Sequence, residues 1–404
     1  MFCASWRNDL FPSHAAPDDW PLFVREADPV NVPLLDLVAQ YNAIKDEVLP
    51  AVQAVIESQQ FVMGPAVSRL ETALAQLARA KHGIACASGT DALLLPLKAL
   101  GLKPGDEVIT TPFTFFATAG TIHNAGGTPV FVDIEPDTFN IDPAGVEAAI
   151  TRRTRAIMPV HLYGQMAAME RLDAIARLHG LLIIEDAAQA IGARRRIGGQ
   201  WRVAGEMGWA SGFSFFPSKN LGGWGDGGLI VTSDDALAAR LSKLRLHGGA
   251  KQYHHDEVGT NSRLDTLQAA VLLAKLPHLS AWSAKRREHA DYYTRAFAAT
   301  PGGRGAVRAP PVDPANEHIF HQYTVRAERR DELHAHLKAQ GIGSAIYYPL
   351  PLHLQPCFQH LGYQAGQFPE SERAAREALS LPVYPELTRA QLDGVIETIH
   401  GFYR

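Results

Sequence analysis

Cysteine is scarce in this 404-residue chain. The three cysteines, Cys3, Cys86 and Cys357, lie far apart and form no CxxC pair. Disulfide frameworks and zinc knuckles need closely grouped cysteines, so the sequence indicates neither of them. Isolated cysteines suit a reducing compartment, and we expect a cytoplasmic protein.

Long hydrophobic runs and an excess of positive charge are also missing. No apolar run approaches the length of a membrane span, and charges and prolines interrupt the start of the chain before a signal-peptide core could form. The formal net charge is −4, which does not indicate nucleic-acid binding. We therefore expect neither a membrane nor a nucleic acid as partner, and interpret residues 1–30 as a loosely ordered N-terminal extension.

What the chain does contain is a regular alternation of short apolar runs and helical patterns. This alternation predicts an α/β fold in which helices flank a mostly parallel sheet, and we assign residues 31–280 to this large domain. The predicted strands are DEVIT (106–110), PVFVD (129–133), RAIMPV (155–160), LLIIED (181–186), SGFSF (211–215) and GLIVT (228–232).

The pattern changes near the C-terminus. A stretch rich in Pro and Gly, TPGGRGAVRAPPVDPANEH, is followed by a strand candidate (HQYTVRAE), a helix (RDELHAHLKAQG) and a second strand candidate (SAIYYP). We interpret residues 281–404 as a smaller C-terminal α+β domain.

One lysine stands out in the segment GFSFFPSKNLGGWGDGG. Lysines are usually solvated surface groups, but Lys219 is surrounded in sequence by aromatic residues and glycines. In a water-poor setting an ammonium group loses solvation and its pKa falls, which makes the amine a nucleophile toward carbonyl compounds. We predict that Lys219 binds a cofactor covalently.

The same segment also contains a GxGxxG match, made by Gly223, Gly225 and Gly228. A dinucleotide-binding fingerprint needs a strand before it and a helix after it. Here a predicted strand, GLIVT, follows the glycines, so we reject the fingerprint. No GxxxxGK[ST] motif is present either.

A cofactor held by a lysine also needs a phosphate site, an acid for its ring nitrogen and a stacking ring. Gly89 and Thr90 stand at the predicted start of a helix, where free N–H groups attract phosphate, although an ordinary helix cap explains them as well. Asp186 ends a buried strand and Gln189 follows about one turn later, while a plain helix cap is again the alternative. Phe115 can stack on a ring or belong to the core.

Taken in order, these motifs resemble those of the DegT/DnrJ/StrS-type sugar aminotransferases. These are pyridoxal-phosphate (PLP) enzymes with the aspartate aminotransferase fold, fold type I. The resemblance runs from about residue 32 to the C-terminus. It rests on FVMGP, ASGTDALLLPLKALGLKPGDEVITTPFTFFATA, PVFVDI, HLYGQ, IEDAAQAIGA, FSFFPSKNLGGWGDGG, GTNSRLDTLQAAVLLAKL and YYPLPLHLQ.

The resemblance implies a role for each matching residue. Lys219 would bind PLP as a Schiff base, Asp186 would hold the pyridine nitrogen and Gln189 would approach the ring hydroxyl. The remaining implied contacts are Gly89, Thr90 and Ser214 for the phosphate, Phe115 for stacking, Asn261 for the phosphate of the partner subunit's site, and Arg263, Tyr348 and His353 for substrate.

The resemblance also implies a homodimer with shared active sites and a transamination. The amino group would pass from an amino acid, L-glutamate, to a nucleotide-diphosphate-linked keto-sugar, with C3 of a UDP-linked 3-keto sugar as the implied position. Departures from the family pattern are Ala168, Trp224 and the basic run Arg194, Arg195 and Arg196, which concern substrate preference more than chemistry.

Two other functions stay open at this stage. One is an NAD-dependent sugar oxidoreductase based on the GxGxxG match, and the other is a PLP-binding sensor without catalysis. A metal site at His254, His255, Asp256 and Glu257 is disfavoured, because adjacent residues point apart on regular structure. We expect no bound metal.

Overall fold

The computed structural model describes residues 31–251, 253–299 and 306–404. The predicted N-terminal extension, residues 1–30, lies outside the described residues. The strands are β1 (His82–Cys86), β2 (Glu107–Thr110), β3 (Thr128–Phe131), β4 (Thr154–Ile157), β5 (Leu182–Asp186), β6 (Arg194–Ile197), β7 (Gln200–Val203), β8 (Ala210–Ser214), β9 (Gly228–Thr232), β10 (Val307–Arg308), β11 (Asn316–Glu317), β12 (Tyr323–Ala327) and β13 (Ala378–Leu381).

Helices form much of the remaining chain. Among the residues that the structure describes, no helix has the length and apolarity needed to cross a membrane. They are α1 (Leu37–Ser58), α2 (Pro65–Leu77), α3 (Gly89–Leu100), α4 (Ala117–Asn124), α5 (Pro143–Ala149), α6 (Met169–His179), α7 (Asp235–Leu244), α8 (Thr266–Lys275), α9 (Leu279–Ala299), α10 (Arg330–Ala339), α11 (Pro369–Glu377) and α12 (Arg389–Phe402).

A seven-stranded sheet forms the centre of the molecule, with strand order β1-β9-β8-β5-β4-β2-β3. The pairs from β8 to β3 are parallel, and β9 runs antiparallel to both of its neighbours. This arrangement confirms the predicted α/β fold with a mostly parallel sheet, and all six predicted strands belong to it. Sequence analysis missed β1, which is short and contains a glycine.

The topology brings several loops to one edge of the sheet. Parallel strands β2, β4, β5 and β8 end at the same side, so the segments that follow them meet there. Asp186 is the last residue of β5 and Ser214 is the last residue of β8. The edge where these strands end is therefore where a site is expected.

A second hydrophobic cluster holds the C-terminal part of the chain together. It joins residues of α9, α10, α12, β12 and β13, and Val32 from the start of the described chain is also part of it. Strands β10, β12 and β13 form an antiparallel sheet beside this cluster. The division into domains near residue 280 stays a prediction, and that position lies at the start of α9.

The second strand candidate of this region, SAIYYP, is wrong. Only Ala345 makes an isolated bridge, to Ser380 of β13, and the strand paired with β12 is β13 itself. Beyond Ala345 the chain leaves the sheet, and Tyr347 and Tyr348 line a cavity at the edge of the seven-stranded sheet. A short run of apolar and aromatic residues does not distinguish a strand from such a lining segment.

The unusual basic run lies on the short antiparallel sheet of β11, β6 and β7. Arg195 is buried and pairs with Glu170 at 2.6 Å and with Asp313 at 2.7 Å. Arg194 pairs with Glu317. These ion pairs connect α6 and β11 to β6, so Arg194 and Arg195 serve structure in this region.

Candidate active site

A cavity of about 660 Å³ opens at the carboxyl edge of the central sheet. Its walls come from the start of α3, the loop before α4, the ends of β5 and β8, the loop after β8 and the segment around residue 348. Eight residues predicted from the sequence line it: Gly89, Thr90, Phe115, Asp186, Gln189, Ser214, Lys219 and Tyr348.

Lys219 lies in a tightly turned loop between β8 and β9. Its backbone N–H donates to the carbonyl of Phe216 at 2.8 Å, and its side chain is only partly exposed, toward the cavity. Burial lowers the pKa of Lys219 to about 8, although the charge of Asp186 opposes this shift. A useful fraction of the amine is therefore unprotonated and nucleophilic near neutral pH.

Asp186 lies deep in the cavity and is held in place by hydrogen bonds. The hydroxyl of Thr118 donates to Oδ2 at 2.7 Å, and the backbone N–H of Ala188 donates to Oδ1 at 3.2 Å. Burial raises the pKa of Asp186, while these bonds and the charge of Lys219 lower it. A buried carboxylate of this kind gains from a positively charged partner, such as a protonated ring nitrogen.

Gln189 connects two sides of the cavity. Its Oε1 accepts from the backbone N–H of Tyr163 at 2.7 Å, and its Nε2 donates to the hydroxyl of Tyr348 at 3.1 Å. Burial raises the pKa of the Tyr348 hydroxyl, so this group keeps its proton and can donate it to a ligand.

The phosphate-binding residues meet where α3 begins. Ser88 caps this helix and its hydroxyl accepts from the N–H of Asp91 at 3.1 Å, while the first N–H groups of a helix have no partner within it. A Cβ on Gly89 would stand 2.5 Å from the Cβ of Ser214, so only glycine allows this close approach. Together, the helix start and Ser214 form a cradle suited to an anion.

Phe115 presents an apolar face to the cavity. Its side chain is 56% exposed although it lies in a pocket wall, and its ring centroid is 6.2 Å from that of Tyr348. An aromatic ring left open in a cavity has surface available for stacking on a flat ligand.

Asn261 and Arg263 do not line the cavity of their own chain. Asn261 is exposed, whereas Ser262 between them is buried and donates from its hydroxyl to Asp91 at 2.6 Å. This bond fixes the segment next to the first turn of α3. The assignment of Asn261 and Arg263 to a partner's site stays a prediction.

His353 is buried behind the cavity and does not line it. Its Nε2 lies 3.2 Å from Oε1 of Glu372, and its ring packs against Phe368. The described structure therefore gives His353 no direct access to a ligand, and its predicted contact with substrate stays a prediction.

Several cavity residues escaped sequence analysis. Among them is His321, whose Nδ1 lies 3.2 Å from Oδ1 of Asn220. Because the amide of Asn220 donates from Nδ2 to Ile319, Oδ1 is the acceptor and Nδ1 of His321 carries the proton. Burial and the charge of Lys219 lower the pKa of His321, so its ring is neutral.

A buried pair explains two of the sequence motifs. His161 of HLYGQ lies with Nε2 2.8 Å from Oε2 of Glu185, the residue before Asp186, and Nδ1 accepts from the N–H of Ala167. Burial works to raise the pKa of Glu185, but the bonds from His161 and from backbone N–H groups lower it. The pair anchors β5 one residue before Asp186.

Two rejected interpretations are also clarified. Gly228 begins β9, so the GxGxxG match precedes a strand and lacks the helix of a dinucleotide fingerprint. Of the candidate metal residues, Asp256 pairs with Lys243 at 2.7 Å and Glu257 with Arg240 at 2.8 Å. Both carboxylates are thus engaged by cations.

The residues that line the cavity fit PLP in their chemistry. A nucleophilic lysine, a buried carboxylate, an anion cradle that a Cβ would block, and an open aromatic face surround one space. On this sheet topology, the arrangement defines the class of PLP-dependent transferases of fold type I.

Comparison with known proteins specifies the class further. A family profile described as the DegT/DnrJ/EryC1/StrS aminotransferase family matches residues 42–400. The chain is 43% identical to DesV of Streptomyces venezuelae, solved in complex with a ketimine intermediate, with a TM-score of 0.88 over 93% of this chain and 99% of that one. It is 33% identical to NtdA of Bacillus subtilis, solved with bound cofactor PMP, with a TM-score of 0.84 over 94% and 86%.

Two curated relatives are similar over nearly their full lengths. The chain is 55% identical to a pleiotropic regulatory protein of Geobacillus stearothermophilus, over 93% of this chain and 99% of the relative. It is 44% identical to the UDP-N-acetyl-3-dehydro-α-D-glucosamine 3-aminotransferase of Acidithiobacillus ferrooxidans, over 92% and 98%. The chain belongs to the DegT/DnrJ/EryC1/StrS aminotransferase family and is a PLP-dependent enzyme.

Proposed function

We propose that this enzyme transfers the amino group of L-glutamate to the keto group of a nucleotide-diphosphate-linked sugar. The observation that carries the proposal is that Lys219, whose pKa is lowered to about 8, and the buried Asp186 line one cavity that also has a phosphate cradle. Transamination needs both a free amine and a carboxylate at the cofactor.

Bound PLP supplies the electron sink that makes an amino-acid Cα proton acidic. The amine of Lys219 is the base that takes this proton and returns it. Asp186 keeps a proton on the ring nitrogen by its negative charge, and Thr118 holds the carboxylate in place. Gln189 and Tyr348 line the same cavity and are joined by a hydrogen bond, which fixes the position of the Tyr348 hydroxyl beside a ligand.

For the acceptor, we propose C3 of a UDP-linked 3-keto sugar. Support comes from the relative in Acidithiobacillus ferrooxidans, which is named as a 3-aminotransferase for a UDP-linked 3-dehydro sugar. The cavity leaves room for a sugar beside the cofactor, because its volume of about 660 Å³ exceeds what a PLP-sized group fills.

We further propose that the active enzyme is a homodimer with shared sites. The support is geometric: the segment of Asn261 and Arg263 is fixed against α3 by Ser262, yet neither residue reaches the cavity of its own chain. Both side chains can then serve a neighbouring subunit.

A second candidate is a regulatory, non-catalytic PLP protein. The relative named as a pleiotropic regulatory protein, at 55% identity, favours it. Retention of Lys219, Asp186 and the anion cradle supports catalysis instead, because a sensor does not need a base at Cα.

The two candidates are separated by a half-reaction. The full-length protein loaded with PLP is mixed with L-glutamate, and the change of the visible spectrum and the formation of 2-oxoglutarate are followed. Lys219→Ala serves as the control without a base. A sensor predicts no 2-oxoglutarate above this control.

The acceptor is then tested with a panel of UDP- and dTDP-linked keto-sugars and mass spectrometry of the products. We expect amination of UDP-linked 3-keto sugars above the others. Equal or better amination of a 4-keto sugar would contradict the proposed position.

A further inference from the structure

Helix α8 contacts the loop of Lys219 through two side chains that do not line the cavity. Oε1 of Gln268 accepts from the backbone N–H of Trp224 at 2.7 Å, and the ammonium of Lys275 donates to the carbonyl of Gly222 at 2.8 Å. Both side chains come from α8 and lie two turns apart, so they are on one face of the helix. The helix thus holds the loop at two points.

The loop is folded so tightly that its two ends cannot move independently. A Cβ added to Gly222 would stand 2.2 Å from the carbonyl oxygen of Pro217, and the N–H of Gly223 donates to the carbonyl of Phe215 at 2.8 Å. Lys219 lies between these contacts. A displacement of Gly222 would therefore be transmitted to the backbone that carries Lys219.

Lys275 is an unusual residue for such a contact. It is only 2% exposed, and burial lowers its pKa to about 8 while the charge of Glu386 opposes the shift. Glu386 also acts on a second buried cation, Arg286, which donates to three backbone carbonyls, including that of His321 in the cavity wall. Burying two cations costs stability, which a purely apolar contact at this place would avoid.

We propose that Lys275 is a positioning residue that sets the location of Lys219 through the carbonyl of Gly222. The proposal rests on the aminotransferase reaction proposed above, in which Lys219 is the base. Lys275 itself does not touch the cavity, and its effect is transmitted through the backbone of the loop.

The test replaces the ammonium while keeping the length of the side chain, with Lys275→Met. The matched control is Lys285→Met on α9, an exposed lysine whose ammonium pairs with Glu288. Hydrogen exchange of residues 217–227 is measured by mass spectrometry on the full-length protein, with and without PLP. Single-turnover rates with L-glutamate are measured over a range of donor concentrations.

We expect exchange in residues 217–227 to become about tenfold faster in Lys275→Met, because a hydrogen bond from a charged group has been removed. The limiting rate of the half-reaction should fall by about tenfold or more, because Lys219 is displaced from the position where it acts as the base. The L-glutamate concentration that gives half of the limiting rate should change little, because the donor site is not displaced. The control should match the wild type in both measurements.

Unchanged exchange in this loop, together with a limiting rate within about twofold of the wild type, would overturn the proposal. A purely structural role predicts faster exchange throughout the protein instead of in this loop, and that result would also overturn it. If Lys275→Met does not fold, Lys275→Gln is used with the same expectations, because its shorter amide cannot reach Gly222. A wild type without any half-reaction would refute the proposed function, while the exchange comparison would still decide the role of Lys275.

Discussion

The pKa of Lys219 is the physical quantity on which the proposed chemistry depends most directly. Burial lowers it from an ordinary value of 10.5 to about 8, with Asp186 acting in the opposite direction. At pH 7 this change raises the unprotonated fraction of the amine roughly 300-fold, since each pKa unit is a factor of ten. The amine should therefore become reactive in step with pH around 8.

The measurement uses full-length protein from which PLP has been removed. A small acylating reagent competes for all amines at a series of pH values, and mass spectrometry of the peptide containing Lys219 gives its extent of labelling. Free Nα-acetyl-lysine in the same mixture provides the reference. The labelling of Lys219 should rise with a midpoint near pH 8, well before that of the reference compound.

Asp186→Asn tests the charge that opposes the lowering of the Lys219 pKa. The negative charge of Asp186 favours the ammonium form of Lys219, so its removal should move the midpoint below that of the wild type. A midpoint above about pH 10 in the wild type would refute the argument from burial. A midpoint that rises in Asp186→Asn would refute the assigned electrostatic coupling.

Three further predictions concern the surroundings of Lys219. In Asp186→Asn, PLP should still bind, but the half-reaction with L-glutamate should slow by about two orders of magnitude, because the neutral amide cannot keep the ring nitrogen protonated. An unchanged single-turnover rate would exclude this role of Asp186. Thr118→Val should lower the free energy of unfolding by about 1–3 kcal/mol and slow the half-reaction, because it removes a hydrogen-bond donor from a buried carboxylate. Denaturant titration would measure the loss, with Thr72→Val as a control at an exposed site. Mixed Lys219→Ala and Asn261→Ala subunits should recover roughly a quarter of wild-type activity, because about half of randomly mixed dimers are hybrids and each hybrid has one of its two sites intact. Activity no better than the average of the two parent variants would contradict shared sites.

The sequence alone determined the fold class and the side of the sheet where the site lies. Each predicted strand is a short apolar run, and the candidate residues Asp186 and Ser214 come at the end of such a run. Parallel strands end on one side, so local order along the chain was enough to predict that Asp186, Ser214 and the loop of Lys219 lie at one edge of the sheet. Gly89 joined this group because a cofactor held by a lysine needs a phosphate site. The resemblance to a family then indicated the cofactor.

Tertiary structure decided which side chains support these residues. Thr118 and Asp186 are 68 positions apart, Gln189 and Tyr348 are 159 apart, and Gly222 and Lys275 are 53 apart. No local pattern indicates such contacts, because they depend on how α4, α8 and the segment around residue 348 pack against the sheet. For the same reason SAIYYP could be mistaken for a strand. A short apolar and aromatic run indicates that a segment is at least partly buried, and only packing determines whether it pairs with a sheet or lines a cavity.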